Sequence, residues 1–493
     1  MQDWLKISLI LCSYGFLREM RPSEPFVTEF LAGEWRNITE EQVNRDIYPL
    51  GTYSYLAQLV IVFLVTDILR YKPIIVLSAC VGIVLWALSL WTYDMLGLQI
   101  IQICYGTFMS AEVAYYTYIY AKVKQEKYQE VTGHTRAAFL IGRFLASVLA
   151  QILISYNLMD VRELNYITFG SQIMSLFLAL MLPAVKTSIY FYSDKIINDN
   201  DNNIHNIENS STTTVYKQNG ENNILPEVIQ NKQNEIVKFS WKKATKLLWQ
   251  HAYTAYTNRT VIQWSIWWSL AMCGYLQVAS YVQLLWKDII DTNSITNINN
   301  NNGHNNSYNI VDNNNITIII SHNINSTYSY NGAVEAVLTL LGAVGTFIAG
   351  IFNSEHYQKW DLWLLALCSL FEGGFLILAA KTNSIWVAYV MYVLFGVVYF
   401  FMITIASATV AKNLAEDSFG LIFGINTLLA LAIQSIFTLI VISDKGFSLD
   451  CRGQFMSFGI YFIILTILYI IIGGFDEIRL RREKKTSYQT NNL

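Results

Sequence analysis

Long apolar segments alternate with short polar segments along most of the chain. Windows of about 20 apolar residues are long enough to cross a bilayer as helices. Twelve such windows occur, so the pattern predicts an all-α membrane protein with twelve transmembrane helices. The predicted spans are residues 4–32, 51–69, 73–93, 97–121, 135–156, 165–187, 260–286, 331–352, 361–381, 384–411, 418–443 and 452–475.

The spans divide into two sets of six, in residues 1–187 and 260–475. Between them, residues 188–259 are rich in Asn and Lys and lack an apolar period, which predicts a disordered linker. An Asn-rich loop (287–330) and a basic tail (476–493) are the other long polar segments. Two six-helix bundles joined by a long linker are typical of the major facilitator superfamily, whose bundles rock about a site near mid-membrane.

Composition agrees with a membrane protein. Of the 493 residues, 53% are hydrophobic and only 14% are charged, whereas soluble domains carry about 25% charged residues. The six cysteines lie mostly in apolar segments and suggest no disulfide framework.

The basic residues set the expected orientation. Arg70, Lys72, residues 122–127, the linker and the tail fall on one side, which is predicted to be cytosolic together with both termini. Acceptor sequences for N-glycosylation lie on the opposite, exterior side. The predicted glycosylation sites are Asn37, Asn305, Asn315 and Asn325.

The chain lacks the motifs of the common enzyme classes. It contains no glycine-rich phosphate loop, no Cys/His set with metal-ligand spacing and no nucleophile elbow. We therefore expect no enzyme activity, no cofactor, no metal and no nucleic-acid partner.

One carboxylate lies inside the fourth predicted span. Glu112 has Tyr115 and Tyr116 three and four residues further along, near it on the surface of a helix. An ionisable group at this depth is costly unless it faces a cavity or a partner, and a carboxylate beside aromatic rings suits a delocalised organic cation. The alternative is a structural salt bridge between helices.

The first span contains a break. Residues 21–26, with prolines at two positions, interrupt an otherwise apolar run, and such a break is tolerated where the backbone lines a cavity. Glu24 lies at this break and is a second candidate for substrate binding. The alternative is a local ion pair with Arg21, while Arg18 and Glu19 are close enough to pair with each other.

The turn after the second span is acidic and then basic. Asp67 and Arg70 flank it, and such a pair could hold the cytosolic gate closed. The alternative is the ordinary excess of basic residues on the cytosolic side, which explains Arg70 but not Asp67.

Several specific motifs occur in one order along the chain, and their combination resembles the folate/thiamine transporter family, solute carrier family 19. The resemblance runs from about residue 9 to residue 473 and omits only the linker, the Asn-rich loop and the tail. The motifs are MRPSEPF (20–26), TYSYL (52–56), DILRYKP (67–73), EVAYY (112–116), WSIWW (264–268), YNGAVEA (330–336) and FGINT (423–427).

This resemblance implies the type of substrate. Folate carriers of the family place Arg at the position of Glu112 and Lys at that of Gln434, whereas thiamine transporters resemble this chain at both. Glu335 matches the glutamate in the eighth helix of the thiamine type. A cavity with Glu24, Glu112 and Glu335 favours a cation.

Other positions depart from the thiamine pattern. Gly51 replaces a tryptophan, and Ser280 replaces the asparagine before Tyr281. Gly396 replaces the family's basic residue in the tenth helix, which removes an anchor expected of folate carriers. Arg143 replaces an apolar or aromatic residue and could project a positive charge into the cavity. The alternative is that Arg143 pairs internally with a carboxylate or extends to the membrane surface.

The resemblance implies a plasma-membrane carrier for thiamine or a related organic cation, working by alternating access. Glu112 would pair with the aminopyrimidine and Tyr115 would stack on a ring, with Glu24 and Glu335 completing the polar contacts. The expected partners are this small-molecule vitamin, membrane lipid, and a proton or organic anion as counter-substrate. Two alternatives stay open: a reduced-folate or organic-anion exchanger, and a non-transporting receptor on a transporter scaffold.

Overall fold

The structure is a computed structural model that describes residues 3–33, 36, 38–122, 128–185, 241–302, 330–351, 361–414, 419–444 and 446–490. Within these ranges the chain forms helices and turns. The first half contains α1 (Asp3–Glu19), α2 (Val27–Leu31), α3 (Glu40–Gln42), α4 (Tyr48–Ile68), α5 (Lys72–Trp91), α6 (Met95–Ser110), α7 (Glu112–Lys122), α8 (Tyr128–Ser155) and α9 (Leu164–Met181). The second half contains α10 (Trp241–Thr257), α11 (Arg259–Asn302), α12 (Asn331–Ile351), α13 (Asp361–Lys381), α14 (Ile385–Lys412), α15 (Phe419–Val441) and α16 (Cys451–Thr490).

Each of the twelve predicted spans coincides with a helix or with a broken pair of helices. Eight helices of the described chain are long and apolar enough by themselves to cross a membrane. The first span is broken between α1 and α2, as its prolines predict. The fourth span is also broken, at Ala111 between α6 and α7, which the sequence pattern did not predict. Glu112 is therefore the first residue of a helix, where the helix dipole favours a carboxylate.

The helices pack as two bundles. In the first bundle α1 lies against α8 and α9, and α4 against α6; in the second, α13 lies against α16, and α12 against α14. The bundles meet where α8 contacts α12 and where α4 contacts α15. The core of the first bundle near α1 and α7 includes the buried rings of Tyr14, Tyr115 and Tyr118, and that of the second includes four tryptophans of α11.

The predicted disordered linker extends too far towards the second bundle. Residues 241–257, which the composition assigned to it, form α10. This helix is amphipathic, and its Leu247 and Leu248 pack with Phe63 and Leu421 from the two bundles. Because the segment is rich in lysine, its composition is polar although one face of the helix is apolar.

Helices also extend past two other predicted span ends. Helix α11 continues to Asn302, well into the predicted Asn-rich loop, and α16 continues to Thr490 through most of the predicted tail. The predicted glycosylation sites, Asn37, Asn305, Asn315 and Asn325, lie outside the described residues, as do residues 186–240 of the linker. These assignments remain predictions.

Candidate substrate-binding site

The break in the first span lies against α9. The break leaves backbone carbonyls at the end of α1 without helical partners, and side chains of α9 bind two of them. Ser171 donates its Oγ hydrogen to the carbonyl of Met20 at 2.7 Å, and Gln172 Nε2 donates to the carbonyl of Arg18 at 3.2 Å. Non-helical backbone is thus satisfied inside the protein, as the membrane interior requires.

Glu19 is the centre of a buried ion network. Its Oε2 accepts hydrogen bonds from Arg21 Nη2 at 2.9 Å and from Arg143 Nη2 and Nε at 2.9 and 3.2 Å. Arg18 Nη1 lies 3.7 Å from Glu19 Oε1. The Glu19 side chain is 3% exposed. Three guanidinium groups from two helical segments therefore share one carboxylate, which is the arrangement that lets a charge be buried.

Arg18 connects this network to Glu112. Its Nη1 lies 3.4 Å from Glu112 Oε2, and its Nη2 donates to the carbonyl of Phe108 at 2.8 Å. The guanidinium carbon also lies 4.4 Å from the centre of the Phe108 ring, a cation–π contact. Arg18 is buried, but the Glu112 side chain is 29% exposed. Glu112 thus has both the interhelical salt bridge and an open side.

Glu24 is arranged in the same way. Arg21 donates to Glu24 Oε1 and is buried, whereas the Glu24 side chain is 33% exposed. The carbonyl of Glu24 accepts from Gln283 Nε2 of α11 at 2.9 Å, and Gln283 Oε1 accepts from the Thr28 amide at 3.1 Å. The break therefore contacts the second bundle directly.

Glu335 approaches from the second bundle. The Tyr392 hydroxyl donates to Glu335 Oε1 at 2.8 Å. Arg143 and Glu24 are close enough to interact electrostatically with Glu335, across the boundary where α8 meets α12. The structure therefore brings Glu24, Arg143 and Glu335 to one place between the bundles, with Glu112 linked to them through Arg18.

The charges of this site are unequal in number and in exposure. Four carboxylates (Glu19, Glu24, Glu112 and Glu335) face three guanidinium groups (Arg18, Arg21 and Arg143), so one negative charge is in excess when all are ionised. Arg18 and Arg21 are 2% exposed, while Arg143 is 41% exposed. Most of the positive charge is therefore buried behind partly exposed carboxylates.

The tyrosines after Glu112 lie partly in the protein core. Tyr115 is 1% exposed, donates its hydroxyl to the carbonyl of Leu11 at 2.9 Å, and contacts the rings of Tyr14 and Phe139. In this conformation it offers no open face on which a substrate ring could stack. Tyr116 is half-buried, and its ring lies 5.2 Å from that of Tyr115. Tyr116 is the better placed of the two to contact a ligand.

The two candidate residues of α11 occupy different environments. Tyr281 is buried, with its ring 5.7 Å from that of Tyr48, and its hydroxyl has no hydrogen-bond partner among the described residues. Ser280 is exposed and donates to the carbonyl of Leu276 in its own helix. Neither contacts the ion network directly, so their assignment to the site rests on the family resemblance.

The candidate gate lies at the turn between α4 and α5, on the predicted cytosolic side. Arg70 and Tyr71 have positive φ angles of 61° and 66°, which makes the turn between α4 and α5 tight. The side chain of Asp67 lies outside the described residues, so its pairing with Arg70 remains a prediction. On the predicted exterior side, ion pairs join the two bundles. Arg45 Nη1 lies 2.8 Å from Asp444 Oδ1, and Lys287 Nζ lies 2.7 Å from Glu40 Oε1.

Sequence reasoning missed the central role of Glu19. It assigned Glu19 to a pair with Arg18, but the shorter contacts are with Arg21 and Arg143. A signal was present, because three charged residues occur within four positions just before the prolines. The contact with Arg143 depends on how α8 packs against α1, which local sequence does not specify.

This all-α arrangement of two helical bundles around a buried charged site is the major facilitator fold, which solved transporter structures share. The solved structure of the nucleoside transporter NupG matches 94% of this chain and 98% of that chain with a TM-score of 0.56 at 12% identity. The solved structure of the human organic anion transporter MFSD10 (TETRAN) matches 95% of this chain and 100% of that chain, with a TM-score of 0.53 at 9% identity. At these identities the likeness shows the fold alone.

The family follows from sequence. The family model described as "Reduced folate carrier" matches residues 2–311 and 304–457. Human thiamine transporter 1 is 34% identical over 97% of this chain and 92% of its own length. The human reduced folate transporter is 32% identical over 97% of this chain and 74% of its own length. Caenorhabditis elegans folate-like transporter 3 is 33% identical over 99% of this chain and 100% of its own length. The chain belongs to the reduced folate carrier family, which confirms the resemblance seen in its motifs.

Proposed function

We propose that this protein carries a vitamin across the plasma membrane by alternating access, and that the vitamin is thiamine or a related organic cation. Similarity to human thiamine transporter 1 and to the human reduced folate transporter supports a vitamin substrate but is nearly equal for the two. The choice between a cation and an anion therefore depends on the site.

The observation that carries the proposal is the exposure of the charges. Arg18 and Arg21 are buried, and they hold Glu112 and Glu24, whose side chains are 29% and 33% exposed. Two partly exposed carboxylates are therefore accessible to a ligand, and Glu335 adds a third from the other bundle. Such a surface attracts a cation and repels a folate-like dianion.

One specific observation favours the alternative, a reduced-folate or organic-anion exchanger. The Arg143 side chain is 41% exposed and lies between the bundles, where it could pair with an anionic group. Against this, its Nη2 and Nε already donate to Glu19. A bound anion would have to compete with a buried carboxylate for the same guanidinium.

The deciding experiment is uptake into proteoliposomes containing the purified protein. Radiolabelled thiamine and a radiolabelled reduced folate are compared, each with the other as unlabelled competitor. We expect saturable thiamine uptake that excess reduced folate does not inhibit. The reverse pattern would establish the anion exchanger, and the uptake of neither compound would favour a non-transporting receptor.

The predicted sidedness also needs a direct test. We propose that both termini are cytosolic, because the basic clusters lie on that side. Epitope tags at either end should be stained in intact cells only after permeabilisation. Staining at the surface without permeabilisation would reverse the assignment, and the same images would show whether the protein reaches the plasma membrane.

A further inference from the structure

A second carboxylate site lies in the C-terminal bundle, away from the charges between the bundles. Glu372 is in the interior of α13 and is 0% exposed. Neither of its carboxylate oxygens has a hydrogen-bond partner among the described residues. Among the described residues, no basic side chain pairs with it. The ion network between the bundles does not include it.

The surroundings of Glu372 are closely packed. The next residue, Gly373, faces Gly459 of α16 so closely that a Cβ atom on Gly373 would lie 2.9 Å from the Gly459 carbonyl oxygen. Helices α13 and α16 therefore leave little space at this level, and water entry would require them to move. An ionised carboxylate without a partner in such a place is strongly disfavoured.

The titratable groups around Glu372 are few. Cys368 of its own helix and Tyr399 of α14 lie within electrostatic range of it. On α16, Tyr461 and Tyr469 donate their hydroxyls to carbonyls of α11 instead. No fixed positive charge among the described neighbours compensates a negative Glu372, and a change in its protonation depends on how these helices pack.

Two tyrosines connect Glu372 with the space between the bundles. The ring of Tyr399 stacks on that of Tyr275 from α11, with centroids 4.1 Å apart and planes 3° from parallel. Tyr275 in turn lies within electrostatic range of Arg143 and Glu335. The two stacked hydroxyl-bearing rings thus lie between the buried acid and the candidate substrate site.

We propose that Glu372 is a proton-binding site of this transporter, protonated in the conformation described here and exchanging its proton with the substrate site past Tyr399 and Tyr275. This inference rests on the proposed transport function. The O–H bond of the carboxylic acid breaks, the proton passes to water in the space between the bundles, and the carboxylate retains the electron pair. Rearrangement of α13 against α14 and α16 would admit that water, which couples protonation to alternating access.

The first test needs no transport. Infrared spectra of the purified protein at neutral pH are compared between the wild type and Glu372→Gln, with Glu163→Gln as a matched control at an exposed position. The difference spectrum for Glu372→Gln should contain the carbonyl band of a protonated carboxylic acid, and that for Glu163→Gln the bands of an ionised carboxylate. Ionised-carboxylate bands for Glu372 would overturn the proposal. Glu372→Leu provides the same comparison if the glutamine variant does not fold.

The second test measures coupling in proteoliposomes that are more acidic inside. If one proton leaves for each monovalent cation that enters, a difference of about one pH unit can drive about tenfold accumulation. We expect the wild type and Glu163→Gln to accumulate thiamine under this gradient. Glu372→Gln should lose that accumulation but still exchange labelled for unlabelled thiamine at equal pH. The proposal would be contradicted if Glu372→Gln accumulated thiamine under the gradient as the wild type does. It would also be contradicted if the wild type exchanged thiamine but did not accumulate it under the gradient. A wild type that moves no vitamin would instead contradict the proposed function.

Discussion

Arg143 and Glu19 are joined by two hydrogen bonds to a single carboxylate oxygen, from Arg143 Nη2 at 2.9 Å and Nε at 3.2 Å. They come from α8 and from the end of α1, so the pair fixes these two helices at the level of the break. Arg143 is the one guanidinium of the network with substantial exposure, at 41%. Its pairing decides how much positive charge a ligand meets.

Replacing Arg143 with phenylalanine tests this directly. Glu19 keeps its hydrogen bond from Arg21 at 2.9 Å, so its charge remains compensated. We expect Arg143→Phe to keep thiamine uptake within about fivefold of the wild type, the equivalent of about 1 kcal/mol. Measured initial rates at equal surface expression check this. If the wild type transports a reduced folate and Arg143→Phe transports neither compound, Arg143 anchors an anion.

Replacing Glu19 should have a much larger effect on stability. In Glu19→Gln, three guanidinium groups lose the carboxylate they share, and breaking a buried ion pair on one side costs about 3–5 kcal/mol. We expect a clearly lower melting temperature of the purified protein and reduced surface expression. The double variant Glu19→Gln/Arg143→Gln should recover part of this loss, because the two residues are in contact and their effects are not additive. Equal losses in the single and double variants would mean that the pair contributes little.

The sequence predicted more of the fold than of the site. Apolar windows identified all twelve spans, because each span is long and the membrane imposes its length. The prolines near Glu24 also predicted the first break correctly, since they remove backbone donors. The break at Ala111 has no such signal. It contains neither Pro nor Gly, so only the packing around α6 and α7 reveals it.

The site illustrates what local sequence cannot provide. Glu112 was a candidate because a carboxylate in an apolar span is unusual, Glu24 because it lies at the proline break, and Glu335 because of the family resemblance. The buried position of Tyr115 and the contact between Glu19 and Arg143 depend on which helices pack together. Helix α10 is a different case. Its apolar period is present in the sequence, but its polar composition led to the prediction of a disordered linker.

Glu112 should be needed for uptake but not for folding. Glu112→Gln keeps the shape of the side chain and removes a charge-assisted interaction of about 1.5–3 kcal/mol with a bound cation. We expect thiamine uptake to fall at least about tenfold, in line with that energy. Arg18 retains its hydrogen bond to the Phe108 carbonyl and its contact with Glu19, so surface expression should stay near that of the wild type. Unchanged uptake kinetics in this variant would remove Glu112 from the site.

The ion pair between Arg45 and Asp444 offers a test of alternating access. The Asp444 side chain is 67% exposed and that of Arg45 is 26% exposed, so the pair contributes little to stability, about 0–1 kcal/mol. It nevertheless joins the two bundles on the predicted exterior side, where they must separate for a substrate to enter. A covalent link at the same place should hold that side closed.

Arg45→Cys and Asp444→Cys are therefore combined in one variant and joined by a bifunctional thiol reagent whose disulfide links span the length of the replaced side chains. We expect uptake to be lost on cross-linking and to return with a reducing agent, because the bundles can then separate again. Each single cysteine variant is the matched control and should keep its uptake after the same treatment. The six native cysteines are all free in the structure, so they are first replaced in a background that retains uptake. A cross-linked protein that still takes up substrate at the wild-type rate would show that the bundles do not separate at this pair.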